Sequence, residues 1–197
     1  MDFLKKHKTI VIIAVLAIIA MWGISAYNGL VSMDEGVQTK WADVETQYQR
    51  RADLIPNLVN TVKGYAAHES ETLTAVVEAR AKATSVIIDP TNMTTEQIAN
   101  FQKAQEGVSS ALSRLLVTVE KYPDLKANEN FRELQAQLEG TENRISVARR
   151  DYNEAARKYN TTLRSFPKNI LAGMFGFEKK AYFEAQEGSE LVPTVQF

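Results

Sequence analysis

Residues 27–65 read YNGLVSMDEGVQTKWADVETQYQRRADLIPNLVNTVKGY. Every third or fourth position gives Tyr27, Leu30, Asp34, Val37, Trp41, Val44, Tyr48, Arg51, Ile55, Leu58, Val62 and Tyr65, and ten of these twelve are apolar or aromatic. A 3/4 spacing that never slips marks one face of a helix turned toward partners. Pro56 stands in its path and lacks the N–H for a helical bond, so a kink is predicted there. A full break, with Asp53 as N-cap and Pro56 in the first turn of a new helix, is the alternative. The unbroken register favours the kink.

Upstream, Thr9 to Ile24 read TIVIIAVLAIIAMWGI, with no charge among them. Carried on to Tyr27, this makes a helix of about 28 Å, close to the roughly 30 Å hydrocarbon core of a bilayer. Trp22 and Tyr27 sit at its exit, where amphipathic rings favour the membrane interface. Lys5, Lys6 and Lys8 precede it, whereas Asp34 and Glu35 come before the next basic residue, Lys40. The positive-inside rule then places Met1 to Lys8 in the cytoplasm and everything after Tyr27 outside. A cleaved signal peptide has the same charged start and apolar middle. Gly23 and Ser25 could serve its cleavage site, but bulky Trp22 and Ile24 make the site poor. The apolar run also passes into helical sequence instead of a turn. The reading is an uncleaved anchor: residues 1–8 form a cytoplasmic tail too short for a signalling domain, and residues 9–27 a transmembrane helix.

Downstream, Ser70 is expected to cap a second, shorter helix to about Ser85, with Leu73, Val76, Val77 and Ala83 available for burial. Asp89-Pro90 signals a turn. Thr94 and Gln97 have the spacing of a capping box. A third helix follows through Ile98, Phe101, Gln105, Val108, Leu112, Leu115, Val119 and Tyr122, and Pro123 is predicted to end it. Asn128 can cap a fourth, whose seam runs Phe131, Leu134, Leu138, Thr141, Ile145, Ala148, Tyr152, Ala155, Tyr159, Thr162 and Phe166 before Pro167 stops it. Short connections favour antiparallel neighbours. The expected fold is all-α: an N-terminal transmembrane helix continuing into an antiparallel up-and-down four-helix bundle over residues 28–166. Two-stranded coiled-coil assembly is the competing use of such heptads, and three clear breaks between the seams favour the intramolecular bundle. Helix four then points back toward the bilayer, leaving an apolar C-terminal tail, residues 167–197, near it. Within FPKNILAGMFGF (Phe166 to Phe177), Phe175 and Phe177 are candidates for contact with lipid headgroups or a membrane partner. Covering the open end of the bundle is the other reading, and Pro167 with two glycines favours it.

Composition narrows the chemistry. The 197 residues carry 23 basic and 24 acidic side chains and no cysteine. That charge balance argues against nucleic-acid binding. The missing thiols exclude disulfides, thiol catalysis and Cys-ligated zinc. No phosphate loop, nucleophile elbow or HExxH is present. A di-iron bundle needs Glu-x-x-His pairs, but the only histidines are His7 and His68, and Tyr65 stands three before His68. His68, Glu69 and Glu71 read as solvated or capping residues at a helix junction, not as metal ligands. No catalytic residue, metal or cofactor is expected.

Asp34, Arg51 and Gln105 fall on apolar seams, where polar residues fix register at some cost in stability. Arg50, Asp53 and Asn57, beside Pro56, are candidate interaction residues that could hold a partner helix or pair locally. Tyr-Asn recurs at Tyr27-Asn28, Tyr152-Asn153 and Tyr159-Asn160. Core packing with asparagine bonding at the margin explains the last two. A docking strip of Asn153, Asn160, Arg149, Arg150 and Arg157 is the sharper alternative.

The string Gln49-Arg50-Arg51-Ala52-Asp53-Leu54-Ile55-Pro56-Asn57-Leu58-Val59, with Thr61-Val62-Lys63-Gly64-Tyr65-Ala66 and His68-Glu69, resembles the LemA family closely. So do Glu142-Asn143-Arg144-Ile145, Ala148-Arg149-Arg150-Asp151-Tyr152-Asn153 and Tyr159-Asn160. Tyr27-Asn28, Glu35, Trp41 and Phe166-Pro167 extend the likeness over nearly the whole chain. The resemblance implies a bacterial membrane protein with an extracytoplasmic four-helix bundle, and no particular activity. Some relatives are linked to membrane organisation, including magnetosome formation.

The expected location is therefore the bacterial cytoplasmic membrane, single-pass, with the N-terminus inside. The expected function is that of a scaffold or adaptor for other envelope or membrane proteins, with the lipid bilayer and copies of itself as further partners. The alternative is a ligand-binding sensor or transport accessory working with a membrane-spanning partner.

Overall fold

The computed structural model describes residues 2–184, with side-chain surroundings from residue 7 onward. Met1, the side chains of Lys5 and Lys6, and residues 185–197 of the expected tail lie outside the described residues. Six helices follow in order: α1 (Asp2–Tyr65), α2 (Ser70–Thr84), α3 (Thr95–Val119), α4 (Pro123–Ala127), α5 (Glu129–Arg164) and α6 (Lys168–Met174). A non-helical segment, here the strap, continues to residue 184.

α1 changes character along its length. Its apolar side chains from Ile10 to Ile24 are exposed, Ile13 at 61% and Ile24 at 63%. From Leu30 to Val62 the apolar residues of the 3/4 seam are buried, with Leu30, Val37, Trp41, Val44, Leu58 and Val62 all at 0%. The first stretch is thus apolar on every side and the rest on one side only, as expected of a segment solvated by lipid followed by one packed on protein. It is the one helix among the described residues long and apolar enough to cross a membrane.

α1 runs through Pro56 without interruption, so the break with Asp53 as N-cap does not occur. The carbonyl deprived of its helical donor, that of Ala52, instead accepts the Arg80 Nε of α2 at 2.7 Å. The Thr94 capping box forms in both directions, at 3.2 Å from the Gln97 N–H and 2.9 Å from the Thr94 N–H. Asn128 caps α5 through the Phe131 N–H at 3.0 Å.

Three expectations are corrected. α5 ends at Arg164, so Phe166, expected on its seam, lies beyond the helix and is exposed. Ser70 is the first residue of α2 and not its cap; Glu69 occupies the N-cap without a side-chain cap bond. Its carboxylate instead accepts the Tyr122 hydroxyl at 2.9 Å. α3 stops at Val119, short of Tyr122, and Pro123 begins α4 instead of merely ending α3. A first-turn N–H has no intrahelical partner anyway, so proline is tolerated there.

The chain forms two compact units. One comprises Lys40–Asn153 with the segment from Ala181. Its core draws on four long helices at once: Ile55, Leu58 and Val62 of α1, Leu73 and Val76 of α2, Val108, Leu112 and Leu115 of α3, and Phe131 and Leu138 of α5, with Leu125 of α4. Burying each such side chain contributes roughly 1.5–3 kcal/mol, which no single amphipathic helix could realise alone. The other unit comprises Met1–Thr39 and Glu154–Lys180. Its buried apolar side chains are Ala26, Leu30 and Val37 of α1, Ala156, Tyr159 and Leu163 of α5, and Ala172 of α6.

Candidate functional site

The most heavily bonded side chain of the larger unit is Arg51, 2% exposed on the α1 seam. Its Nη1 donates to Ser109 Oγ at 2.9 Å and to Glu142 Oε1 at 2.7 Å. Its Nη2 donates to the Gln105 carbonyl at 3.0 Å and to Gln105 Oε1 at 2.6 Å. The guanidinium also lies 5.1 Å from the centroid of the Tyr48 ring. A buried cation is costly unless paired and hydrogen-bonded, and here acceptors from α3 and α5 meet that demand. Arg51 and Gln105, two of the three polar seam residues, are therefore brought together. The third, Asp34, belongs to the other unit, where it bonds Lys180 at 2.8 Å and Gln38 at 2.7 Å.

Beside Arg51 lies an aromatic cluster. Trp41 is 5.3 Å from Phe101, 5.6 Å from Tyr152 and 5.7 Å from Phe183, the last pair nearly parallel at 13°. Phe183 comes from the strap and is buried to 5% exposure. Its backbone is held by Asn153, whose Nδ2 donates to the Phe183 carbonyl and whose Oδ1 accepts the Phe183 N–H, both at 2.9 Å. Tyr152 donates its hydroxyl to the Ala181 carbonyl at 2.9 Å. The Glu184 carbonyl accepts Arg149 Nη2 at 2.9 Å and Gln102 Nε2 at 3.3 Å. Arg149 also stands 4.9 Å over the Phe183 ring. Among the described side chains the Trp41 indole N–H is buried without a hydrogen-bond partner.

The smaller unit repeats the asparagine device. Asn160, 6% exposed, donates Nδ2 to the Lys180 carbonyl at 2.8 Å and accepts the Lys180 N–H at 2.9 Å. The Lys180 ammonium is 7% exposed and lies 5.9 Å from the centroid of the Tyr159 ring.

Burial sets the protonation behaviour of this interior. It pushes the Tyr152 hydroxyl well above the ordinary phenol range. It does the same to Tyr159, assisted by the Asp34 carboxylate. Tyr48 is also raised by burial, against the opposing pull of Arg149 and Arg51. The Glu45 carboxyl is raised by burial and partly relieved by the Trp41 N–H.

The predicted interaction residues divide into three groups. In the larger unit Asn153 and Arg149 bond the strap at Phe183 and Glu184, and in the smaller unit Asn160 bonds it at Lys180. Arg150 and Arg157 are exposed on α5, as are Arg50, Asp53 and Asn57 on α1. Asp53 accepts Gln49 Nε2 at 2.8 Å, a local pairing. Asn57 lines a shallow groove of mixed polarity with Leu54, Asn60, Glu133, Leu134 and Gln137. Phe175 is exposed and Phe177 half-buried; both rings meet Tyr27, at 4.9 and 5.6 Å. Phe183, Glu142 and Arg80 carry bonds that reading along the chain did not assign. For Phe183 the available signal was an aromatic pair, Tyr182-Phe183, beyond the last helix. Among the described residues no three His, Asp or Glu side chains gather as a metal-binding group.

Three of the strings that suggested a family fall in the larger unit, with Arg51 and Pro56 from the first, Glu142 from the second, and Tyr152 and Asn153 from the third, while Tyr27-Asn28 and Tyr159-Asn160 belong to the smaller one. Among known proteins, magnetosome proteins MamQ 1 and MamQ 2 of Paramagnetospirillum magneticum are each 29% identical to this chain over 206 residues, covering 92% of it and 74% of their own length. Protein LemA of Metamycoplasma hominis is 24% identical over 160 residues, covering 81% of this chain and 69% of its own. Residues 40–197 match the LemA family as a whole, from Trp41 and the Arg51 centre to the chain's last residue, and the chain belongs to that family.

Proposed function

We propose that this protein is a membrane-tethered, non-catalytic scaffold or adaptor that presents a rigid up-and-down four-helix bundle to other envelope proteins. In this reading α1 anchors it in the bacterial cytoplasmic membrane, with the N-terminus inside and the bundle outside. The bundle topology is supported by pairings in the larger unit. Trp41 with Tyr152, Arg51 with Glu142 and Tyr65 with Asn128 rise along α1 as they fall along α5. Trp41 with Phe101 and Arg51 with Gln105 rise together along α1 and α3. The magnetosome relatives support a role in organising membrane.

One observation carries the scaffold reading. Most interior polar groups are bonded to one another or to backbone, Arg51 alone through four hydrogen bonds and with the Trp41 N–H and Gln47 Oε1 as exceptions, while Arg50, Asp53, Asn57, Arg150 and Arg157 face outward. Such an interior fixes shape, and the outward groups offer specificity. The test is site-directed crosslinking of the full-length protein in intact cells, with cysteines introduced by Arg50→Cys and Arg157→Cys into this cysteine-free chain, followed by gentle detergent extraction and sizing. The same neighbour, or a second copy, should be captured from these positions and not from a control at Glu78→Cys. A lone monomer crosslinked to nothing rules the scaffold out.

A sensor or transport accessory is the second reading. A cavity of about 180 Å³ opens among Glu45, Tyr48, Arg51, Arg80, Phe101 and Gln105. Ligand sites usually need roughly 300 Å³ or more, so this space suits at most a very small molecule. A small molecule co-purifying in stoichiometric amount, seen by native mass spectrometry, would favour this reading.

A further inference from the structure

We propose that α6 and its flanks rest in the headgroup region of the bilayer that holds α1, giving the chain a second membrane contact. This rests on α1 being a membrane anchor.

The smaller unit supplies the observations. Phe166 is 81% exposed, Ile170 54%, Met174 73% and Phe175 56%. In α6 itself Ala172 is buried and Leu171 half-buried, so the segment turns Ile170 and Met174 away from the protein, where covering an open end of the fold would turn them in. Single exposed apolar residues are ordinary, but four large ones within ten positions form a patch that marks an interaction surface.

Its position identifies what covers it. Tyr27 lies one turn beyond Ile24, at the end of the exposed apolar stretch of α1. Phe175 packs edge-on to Tyr27 at 4.9 Å and Phe177 at 5.6 Å. The chain is brought there by the end of α6. Gly176 takes φ 72° and the Phe177 N–H bonds the Ala172 carbonyl at 3.0 Å. Only glycine adopts that left-handed backbone without a steric cost, and the turn places one phenylalanine on each side of it. The apolar patch is therefore continuous with the lipid-facing surface of α1 where that surface meets the interface.

Charge agrees with lipid. Arg164, Lys168 and Lys179 flank the patch, against the single carboxylate of Glu178 between residues 160 and 180. A short apolar segment rimmed by basic side chains suits anionic headgroups over an acyl boundary, where aromatic rings also partition. A protein partner would not require the patch to begin at the anchor's exit.

The test uses the full-length chain in phosphatidylcholine vesicles with or without phosphatidylglycerol. One environment-sensitive dye is attached at Met174→Cys, Ile18→Cys or Val117→Cys, and nitroxide lipids quench either near the headgroup or at mid-chain. The Met174→Cys dye should lose most of its emission to the headgroup quencher, more so with phosphatidylglycerol. The Ile18→Cys dye should respond to the mid-chain quencher, and the Val117→Cys dye to neither. Adding Phe175→Glu should release a dye at Ile170→Cys from the headgroup quencher. An unresponsive Ile18 dye would remove the anchor and the proposal with it. A responsive Ile18 dye beside a Met174 dye open to aqueous iodide would overturn the proposal alone. A Met174 dye shielded from iodide yet unquenched by lipid would assign the patch to a protein neighbour and overturn it equally.

Discussion

Arg80 Nε donates to the backbone carbonyl of Ala52 at 2.7 Å, across from α2 to the turn of α1 where Pro56 leaves that carbonyl without a helical partner. The guanidinium is thus a prosthetic N–H for a proline inside a helix, and it explains how α1 continues unbroken. Arg80→Met should cost about 1–3 kcal/mol, because a partly buried carbonyl is left unmet. With Pro56→Ala present, the backbone N–H restored at position 56 can serve the Ala52 carbonyl, and the same Arg80→Met change should cost at least about 1 kcal/mol less. Thermal unfolding of the four proteins of this cycle in detergent checks it. Strict additivity would show the bond to be idle.

The Arg51–Glu142 pair calls for a different comparison. Arg51 is sealed in, whereas the Glu142 side chain is 44% exposed, so water and salt screen part of the attraction. Glu142→Ala should destabilise by about 1–3 kcal/mol by leaving a buried guanidinium short of an acceptor. Glu142→Gln keeps an acceptor and should cost less. Equal losses for both would mean that packing, not the hydrogen bond, sets the effect.

Phe183 and Asn153 hold the strap in distinct ways. Phe183→Ala should cost about 3–5 kcal/mol through the cavity left beside Trp41. Asn153→Asp keeps the acceptor for the Phe183 N–H but loses the donor to its carbonyl, for about 1–2 kcal/mol. Hydrogen exchange of the Phe183 amide should speed up in both variants. Protection as in the parent protein would show that other contacts hold the strap.

Alkaline pH tests the buried phenols. Tyr152 and Tyr159 are raised, mainly by burial, so the folded state holds their protons more tightly than the unfolded chain does. Their contribution is complete below about pH 10, the unfolded phenol value, and falls as pH rises beyond it. Ultraviolet phenolate absorbance from these two should appear only as the helical signal is lost. Tyr152→Phe should lower stability at neutral pH by about 1 kcal/mol, from the lost bond to Ala181, yet move alkaline unfolding to higher pH. Alkaline unfolding at the parent's pH would contradict the assignment.

Much of the helical framework was legible because it is written in local periodicity. The α1 seam from Leu30 to Val62, the Thr94–Gln97 box and the Asn128 cap each depend on residues three or four apart. α4 was missed because five residues lie below any periodic signal, and its Pro123 serves equally to stop one helix or start another. The strap was missed for a deeper reason. Asn153 meets Phe183 thirty positions away, and nothing in either residue's neighbourhood announces the pairing. Asn153 and Asn160 were noticed as a repeated motif, but whether an amide faces water, a partner or its own chain is decided by tertiary structure. The exposure of Phe166 and Met174 was equally unreadable, since an apolar residue after a helix can cover a core or leave it.

The asparagine clamps have an evolutionary consequence. They grip peptide groups, and the bonds to Ala181 and Glu184 likewise end on carbonyls, so what is recognised is the one part of the chain that mutation does not rewrite. Lineages of this protein can vary the exposed side chain at position 184 while the segment stays seated, provided Phe183 and the two amides persist. Drift there would conceal the attachment from sequence alignment, although the attachment itself would endure.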